Sequence, residues 1–222
     1  MPHVADGFHP PLEEYLETIW ELEEESIPVI QARLAEHLSV SAPSVSEMIR
    51  RLKGEGWVDT EGRFITLTEK GRTRAISVVR KHRLAERLLT DVIGLPWHKT
   101  HVEACRWEHV ISDEVEERLV TLLGNPATCP HGNPIPGAGG PERNLAALAT
   151  AEPGDRVRLE RVTEQVEVDF DALVYLDTHG FVPGVDAQVK AKGPDGTLTL
   201  ALSEGTIALG PALASQLYVA RV

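Results

Sequence analysis

A segment rich in glycine and proline divides the chain into two parts with different hydrophobic patterns. Residues 124–141 contain ten glycines and prolines among eighteen positions, which argues against a regular helix or strand there. Before this segment, apolar residues recur every three to four positions, as in amphipathic helices. After it, RVRLERV, LTLAL and QLYVARV are strand-like runs separated by turns such as GPDGT. The sequence therefore predicts a mainly α protein with a small all-β domain, best fitted by a barrel.

The pattern over residues 12–68 predicts three helices followed by a hairpin. Pro43 starts the third helix, and WVDT and FITLT form the hairpin around Glu61-Gly62-Arg63. This order is typical of a winged helix-turn-helix. The first helix has an apolar stripe at helical spacing, made of Leu12, Tyr15, Leu16, Ile19 and Trp20.

The third predicted helix and the hairpin carry side chains suited to DNA. Short residues at the start of the helix let it lie deep in the major groove, and arginines neutralise phosphates. An acidic side chain such as Glu47 could accept a hydrogen bond from a cytosine amine. A plain three-helix core without DNA binding is the alternative. The candidate DNA-binding residues are Ser41, Pro43, Ser44, Ser46, Glu47, Arg50, Arg51 and Arg63.

The charge of the chain is unevenly distributed. The formal net charge is −12, which taken alone argues against nucleic-acid binding. Residues 27–90, however, hold twelve basic and seven acidic residues, so this segment has a net charge of +5. Beyond about 8–10 Å, charges are screened at physiological salt, so one basic face can bind phosphates although the remainder is acidic. Two cysteines, no signal peptide and no membrane-length apolar run indicate a cytoplasmic protein that does not enter a membrane.

The most informative segment is RKHRLAERLLTDVIGLPWHKTHVEACRWEHVISDE. His82 and Glu86 lie four residues apart on one predicted helix. The next predicted helix carries His101 and three further metal-ligand side chains, which follow His101 by four, seven and eight residues. Side chains three or four residues apart share a helix face, so each set can converge on a divalent ion. Spacing alone groups His101 with Cys105. The second set is His101, Cys105, Glu108 and His109.

Two more ligand types, Cys129 and His131, lie in the Gly/Pro-rich segment. Because that segment predicts a surface loop, we expect both to be solvent-exposed and without a specific role.

The segments RKHRLAERLLTDVIGL and EACRWEHVISDEVE, followed by GNPIPG, closely resemble the diphtheria toxin repressor (DtxR/IdeR/MntR) family of iron- and manganese-dependent regulators. The resemblance covers the whole chain. It implies a metal-activated transcriptional repressor of metal-homeostasis genes, not an enzyme, with no small organic substrate. It also implies a homodimer that binds double-stranded palindromic operator DNA. The implied domains are a winged helix-turn-helix (1–74), a helical metal-binding and dimerisation domain (75–140), a linker (141–152) and an SH3-like, FeoA-like domain (153–222).

The resemblance also implies two divalent metal ions per subunit. In the family pattern, two residues of the barrel, three positions apart, complete the ancillary metal site. They match Glu164 and Glu167 here, and Asp169 is the alternative ligand if the alignment is shifted. The implied primary site is Glu14, Cys105, Glu108 and His109. The implied ancillary site is His82, Glu86, His101, Glu164 and Glu167.

The implied primary site mixes two kinds of ligand. Iron-type members carry Met and manganese-type members carry Asp where this chain has Glu14, yet this chain keeps Cys105, where manganese-type members usually have Glu. Carboxylates favour Mn²⁺, whereas a thiolate favours Fe²⁺, Co²⁺, Ni²⁺ or Zn²⁺. We therefore expect a Mn²⁺ sensor, with an Fe²⁺ sensor as the alternative. Co²⁺, Ni²⁺, Zn²⁺ and Cd²⁺ are expected to bind in vitro.

Two other function classes compete with this interpretation. A metallohydrolase would need an open coordination position and a base, but the chain contains no H-E-x-x-H, G-x-S-x-G or P-loop motif. A metal-independent winged-helix regulator would use the ligand residues only structurally, and its DNA affinity would not change with a chelator.

Overall fold

The computed structural model describes residues 12–140 and 144–222. They divide into two compact units, and the division falls between residues 81 and 82, inside the long helix α4 (Glu69–Arg87). Within the described residues, no helix is long and apolar enough to cross a membrane.

The first unit has the predicted order of helices and hairpin. The strands pair antiparallel, with Glu61 opposite Phe64. Its elements before α4 are α1 (Leu12–Glu24), α2 (Gln31–His37), α3 (Ala42–Gly54), β1 (Val58–Glu61) and β2 (Phe64–Leu67).

Local chemistry explains where α3 begins. The Ser41 hydroxyl accepts a hydrogen bond from the backbone N–H of Ser44 at 3.3 Å, which satisfies one of the free donors at the start of the helix. Pro43 occupies the first turn, where a missing N–H costs nothing. The inner side of α3 packs into a core shared with α1, α2 and the hairpin. Its buried residues are Val45, Ile49 and Leu52.

The helical part of the second unit continues from the end of α4. One π-helical stretch, Leu88–Ile93, follows α4 and ends at Gly94, whose φ of 76° suits glycine. The later elements are a 3₁₀ turn (Trp97–Lys99), α5 (Thr100–Trp107) and α6 (Asp113–Leu122). The Ser112 hydroxyl caps α6 by accepting a hydrogen bond from the Val115 N–H.

The glycine- and proline-rich segment is a loop, but its central part is packed inside the second unit. The side chain of Arg87 donates to the carbonyl oxygens of Thr128 at 2.7 Å and Cys129 at 3.1 Å, and the Trp97 indole donates to the Pro130 carbonyl oxygen at 3.1 Å. Gly132 presses on β4 (Arg156–Val162): a Cβ there would lie 1.9 Å from a backbone oxygen. The loop is thus held in place by long-range hydrogen bonds and backbone packing.

The remaining strands form one antiparallel sheet, and short helices lie between them, although the sequence had predicted an all-β domain. The further elements are β3 (Ala146–Ala147), α7 (Glu164–Glu167), α8 (Phe170–Thr178), β5 (Asp186–Lys192), β6 (Leu198–Ala201), β7 (Thr206–Leu209), α9 (Pro211–Ser215) and β8 (Leu217–Arg221). The strand order in the sheet is β3-β8-β4-β5-β6-β7. In α8, Leu173 and Leu176 are three residues apart and both buried, which is helical rather than strand spacing.

The predicted linker over 141–152 already contains part of this sheet. Residues 141–143 lie outside the described residues, but Ala146 and Ala147 pair with β8, and Leu148 is fully buried in the core of the sheet domain. The described part of this segment is therefore integrated into the domain that follows it.

Candidate metal centre

Four segments of the second unit bring metal-ligand side chains together. Helix α4 contributes His82 and Glu86 from its last turns, and α5 contributes His101 from its first turn. The packed loop contributes His131, and the short helix α7 contributes Glu167. Each of the five residues is at least nine-tenths buried. Buried carboxylates and imidazoles at this density need compensation by a metal, protons or hydrogen bonds.

Contacts between the ligand atoms have the spacing of neighbouring ligands on a divalent ion, and ligand atoms of His82, Glu86, His101 and Glu167 all lie within 4.8 Å of one another. Glu86 Oε1 and Glu167 Oε2 each lie 3.0 Å from His131 Nδ1. Glu167 Oε2 is 3.2 Å from His101 Nδ1, and Glu86 Oε1 is 3.4 Å from His82 Nε2. Neighbouring ligands of a six-coordinate ion with bonds of about 2.1–2.2 Å are about 3.0 Å apart. We call these five residues the ancillary cluster.

Hydrogen bonding gives independent support for a metal. The five ligand atoms named above are buried and form no hydrogen bond of good geometry. Unsatisfied buried polar atoms are rare in proteins, and several that face one another are typical of a metal site. The donor set therefore fits a divalent cation.

The shifted pKa values of the ancillary cluster also fit a site for a cation. Burial opposes charge on His82, His101 and His131, but neighbouring anionic groups outweigh it and raise their pKa values well above the ordinary value. Burial likewise opposes charge on Glu86, yet His131 and His82 hold its pKa well below the usual range. The raised imidazole pKa values favour protons on the histidines in the absence of metal, whereas burial and the neighbouring carboxylates Glu164 and Glu86 raise the pKa of Glu167.

Cys129 and His131 are not exposed, so our sequence-based expectation for them was wrong. Their exposed fractions are 1% and 0%, and both have a ligand atom within 4.8 Å of one on Glu86. Burial, together with Glu86 and Glu167, raises the pKa of the Cys129 thiol to about 12. The sequence does contain a signal for this arrangement. Cys129 and His131 are two positions apart, and the prolines and glycines around them favour a fixed turn that can hold both side chains in place.

The two predicted barrel ligands separate in the structure. Glu167 belongs to the ancillary cluster, whereas Glu164 Oε1 accepts a hydrogen bond from Nη2 of the fully buried Arg83 at 2.8 Å. Asp169, the predicted substitute, caps α8 by accepting from the Ala172 N–H at 3.2 Å. Of the predicted barrel residues, it is therefore Glu167 whose free carboxylate oxygen faces the imidazoles.

Asn133 fixes the orientation of the Glu167 carboxylate. Its fully buried amide donates to Glu167 Oε1 at 2.5 Å and to the Val162 carbonyl oxygen at 2.9 Å, and its own oxygen accepts from Arg161. With Oε1 held in this way, Oε2 is left facing His101 and His131. A hydrogen bond behind a ligand commonly sets its direction and basicity in metal sites.

The residues implied for the primary site are distributed differently. Glu108 is buried, with Oε1 3.1 Å from His109 Nε2 and Oε2 2.5 Å from His82 Nδ1. Burial raises the pKa of the Glu108 carboxyl, but hydrogen bonds from His109 and His82 outweigh burial and lower this pKa to about 2. Glu14 lies on α1 in the first unit, so its role stays a prediction.

Cys105 lies beside histidines of the ancillary cluster. Its Sγ is 3.7 Å from His101 Nε2, and ligand atoms of Cys105, His82 and His101 all lie within 4.8 Å of one another. Burial raises the pKa of this thiol, but the nearby imidazoles outweigh that effect and lower it. The spacing of four residues along a helix therefore correctly predicted that Cys105 lies next to His101.

The predicted DNA-binding residues lie on α3 and on the hairpin turn. Glu47, Arg50 and Arg51 are exposed, whereas Ser44 and Ser46 are partly buried. Arg51 donates to Glu55 Oε1 at 2.8 Å, one helical turn away. The remaining members also lie at exposed positions: Ser41, Pro43 and Arg63.

Comparison with known proteins identifies the family. Residues 8–63 match the family model for the N-terminal DNA-binding domain of iron-dependent repressors, and residues 68–137 match that for their metal-binding and dimerisation domain. Residues 146–221 match the FeoA domain. The iron-dependent repressor IdeR of Mycobacterium tuberculosis is 46% identical over 202 residues, covering 86% of this chain and 87% of that protein. The chain belongs to the diphtheria toxin repressor family.

Other members of the diphtheria toxin repressor family support this assignment. The diphtheria toxin repressor of Corynebacterium diphtheriae is 45% identical over 202 residues, covering 85% of this chain and 87% of that protein. A solved structure described as a manganese-dependent transcriptional repressor in complex with manganese has a TM-score of 0.85 and 33% identity, and it covers 96% of this chain and 100% of that chain.

Membership of the diphtheria toxin repressor family decides the broad function. The chain is a metal-dependent transcriptional repressor rather than an enzyme, with a DNA-binding domain and a dimerisation domain. The predicted family and fold class are thereby confirmed. Relatives' names include both iron and manganese, so the family alone does not select the metal.

Proposed function

We propose that this chain is a Mn²⁺-activated repressor that binds palindromic operator DNA as a homodimer and controls genes of metal-ion homeostasis. One observation carries the choice of metal. In the ancillary cluster, each of three imidazoles has a ring nitrogen 3.0–3.4 Å from a carboxylate oxygen of Glu86 or Glu167, which is the spacing of neighbouring ligands on a six-coordinate ion. Carboxylate-rich, six-coordinate sites suit Mn²⁺ better than thiolate-rich tetrahedral ones do.

When bound, a divalent ion supplies the positive charge that the carboxylates of the cluster need. Glu86 and Glu167 are then neutralised without protons on the imidazoles, so His101 and His131 can present neutral ring nitrogens. Asn133 keeps Glu167 oriented throughout, because its hydrogen bond uses the other carboxylate oxygen. Residues 128–134 are thereby tied to α4, α5 and α7.

For a second ion, we propose the set Glu14, Cys105, Glu108 and His109 from the sequence. The proximity of Glu108 to His109, at 3.1 Å, supports part of this set. Ligands drawn from both the DNA-binding unit and the metal-binding unit would make DNA affinity depend on metal, since a conformation that binds the ion more tightly gains population.

We propose that α3, its N-cap and the hairpin turn contact the operator through the eight residues predicted from the sequence. The exposure of Arg50, Arg51 and Arg63 supports contacts with phosphates. In a symmetric dimer, two such helices would enter successive major grooves about 34 Å apart, which requires a palindromic site.

The test is anaerobic DNA binding to the protein's own promoter region with chelator, Mn²⁺, Fe²⁺ or Zn²⁺ in turn. We expect Mn²⁺ to activate binding at micromolar concentration and Fe²⁺ to require more. Activation by Fe²⁺ at lower concentration than Mn²⁺ would replace the proposal with an iron sensor. Equal binding with chelator and with metal would refute the metal switch itself.

The iron sensor is the second candidate because of one specific observation. Cys105 offers a thiol with a lowered pKa, and thiolate ligands favour Fe²⁺ over Mn²⁺. The 46% identical relative is also named an iron-dependent repressor. A Cys105→Ser variant separates the two candidates, since only an iron sensor should lose its preference for Fe²⁺.

A further inference from the structure

His131 differs from the other members of the ancillary cluster because a loop carries it. The other four ligands project from α4, α5 and α7, where helical hydrogen bonds fix the backbone. His131 lies in a turn of the glycine- and proline-rich segment. It is nevertheless fully buried, with Nδ1 3.0 Å from both Glu86 Oε1 and Glu167 Oε2. Its position therefore depends on contacts with other parts of the second unit.

Two hydrogen bonds hold the backbone on either side of the His131 Cα atom. The Pro130 carbonyl oxygen, in the preceding peptide group, accepts from the Trp97 indole N–H at 3.1 Å. The His131 carbonyl oxygen accepts from the Val162 N–H at 2.8 Å. Because peptide groups are planar, holding both of them fixes the direction in which the His131 side chain leaves the backbone. Of the two donors, only the Trp97 indole is a side chain, so it can be removed without changing a strand.

The Trp97 indole also packs on the His131 ring. The two ring centroids are 4.6 Å apart and the ring planes are inclined by 50°, which is a favourable arrangement for neighbouring aromatic rings. Rotation of the imidazole away from the carboxylates would lose this contact. Trp97 thus acts on both the backbone and the ring of His131, although an indole N–H is a donor only and offers no ligand atom.

Trp97 is itself anchored to the sheet domain and to α5. Its half-buried side chain packs against the apolar core of the sheet domain. The next residue, His98, is hydrogen-bonded through Nδ1 to Asp177 Oδ2 on α8. The Thr100 hydroxyl donates to the Trp97 carbonyl oxygen at 2.9 Å, at the start of the helix that carries His101. The 3₁₀ turn therefore links the sheet domain to two histidines of the cluster.

We propose that Trp97 is a positioning residue of the ancillary cluster, which holds the His131 imidazole in place beside Glu86 and Glu167. Freedom that the imidazole has already lost in the folded protein is not lost again when an ion binds, so the ion is bound more tightly. The sheet domain thereby influences the cluster at a second point, besides the ligand Glu167 that α7 supplies. This role rests on the proposed function, because the ancillary cluster is the Mn²⁺ site proposed above.

The test is a double-mutant cycle of Mn²⁺ affinity in the full-length protein, measured by the electron paramagnetic resonance signal of free Mn²⁺. The four proteins are the unmodified chain, Trp97→Leu, His131→Gln and the double variant. We expect Trp97→Leu to raise the dissociation constant of one bound ion by about 10-fold. Because Trp97 acts through His131, the double variant should bind this ion no more weakly than His131→Gln does. Losses that add in the double variant would overturn the proposal, since Trp97 would then support the ion by another route.

The two single variants separate this proposal from the proposed metal site. Weaker Mn²⁺ binding in His131→Gln together with unchanged binding in Trp97→Leu would refute the positioning role and leave the metal site intact. Unchanged binding in both variants would refute His131 as a ligand, and the positioning role with it.

A conservative variant and a matched control complete the experiment. Trp97→Phe keeps a ring against the imidazole but cannot donate to Pro130, so its Mn²⁺ affinity should lie between those of the unmodified chain and Trp97→Leu. A loss as large as that in Trp97→Leu would contradict the ring contact. Trp57→Phe makes the same change in the first unit, where the indole donates to Glu55 at 3.0 Å, and should leave Mn²⁺ affinity unchanged. Far-ultraviolet circular dichroism shows that each variant is folded, and the same cycle with Trp97→Phe decides the question if Trp97→Leu does not fold.

Discussion

Glu167 Oε2 lies 3.0 Å from His131 Nδ1, and this contact joins a helix of the sheet domain to the glycine- and proline-rich loop. Both side chains are buried, and neither atom forms a hydrogen bond of good geometry. A loop that the sequence marks only as a break between domains thereby becomes part of the candidate metal centre. The following predictions test the consequences.

Replacing His131 by Gln should weaken Mn²⁺ binding at the ancillary cluster, because it removes the imidazole that lies closest to both carboxylates. We expect the dissociation constant of one of the bound ions to rise by about 10–100-fold. Isothermal titration calorimetry with Mn²⁺ measures this change.

The matched control is His179→Gln, since this histidine contacts the Tyr175 carbonyl oxygen and not the ancillary cluster. Equal Mn²⁺ affinities in His131→Gln and the unmodified protein would remove His131 from the site.

Binding of Mn²⁺ should release protons near neutral pH. The pKa values of His82, His101 and His131 are raised well above their ordinary value, so these imidazoles hold protons at pH 7 in the metal-free protein. A bound ion requires them neutral, so affinity should fall as pH falls, and proton release should decline once pH exceeds the raised pKa values.

Calorimetry of the same titration in two buffers with different ionisation enthalpies counts the released protons. Identical apparent enthalpies in the two buffers would show that the imidazoles are already neutral, contrary to the pKa shifts.

Replacing Arg83 by Met should strongly destabilise the metal-free protein. Arg83 and Glu164 form a fully buried ion pair, and the remaining Glu164 carboxylate would lose its cation. The expected loss in the free energy of unfolding is about 3–5 kcal/mol, measured by urea denaturation. The double variant Arg83→Met/Glu164→Leu should recover most of it.

The contrasting control is Arg158→Met, which breaks the exposed pair with Asp186 and should leave stability almost unchanged. If Arg83→Met were as stable as this control, the buried pair would not hold α7 against α4.

Replacing Arg50 by Ala should reduce the salt dependence of DNA binding. Each lost phosphate contact lowers the slope of log K against log salt concentration by about one. Arg51→Ala should have a smaller effect, because Arg51 is already paired with Glu55.

Arg158→Ala, the same charge change on an exposed residue of the sheet domain, serves as the control. A slope unchanged in the Arg50→Ala/Arg51→Ala double variant would refute the phosphate role of both arginines.

The local elements were predictable because their signals are local. The apolar stripe of α1, the position of Pro43 in the first turn of α3 and the hairpin each depend on a few neighbouring residues, and the structure contains all of them. The i, i+4 pairs His82 with Glu86 and His101 with Cys105 followed from helical geometry in the same way.

The composition of the ancillary cluster was only partly predictable. Membership of His82, Glu86, His101 and Glu167 was expected from the family resemblance, but the burial of His131 was not. Glu164 and Glu167 are alike in sequence, and they differ because Arg83 meets one and Asn133 orients the other. Such partners are distant along the chain and leave no periodic signal.

The sequence by itself determined the helices, the hairpin, the strand-rich C-terminal part and the ligand pairs on α4 and α5, because periodicity and caps act over a few residues. The tertiary structure decided which ligands meet. Long-range hydrogen bonds from Arg87 and Trp97 hold residues 128–130 inside the second unit, and the Val162 N–H donates to the His131 carbonyl oxygen beside β4. These contacts carry His131 to Glu167 because they satisfy buried backbone groups of the loop, which no local pattern specifies.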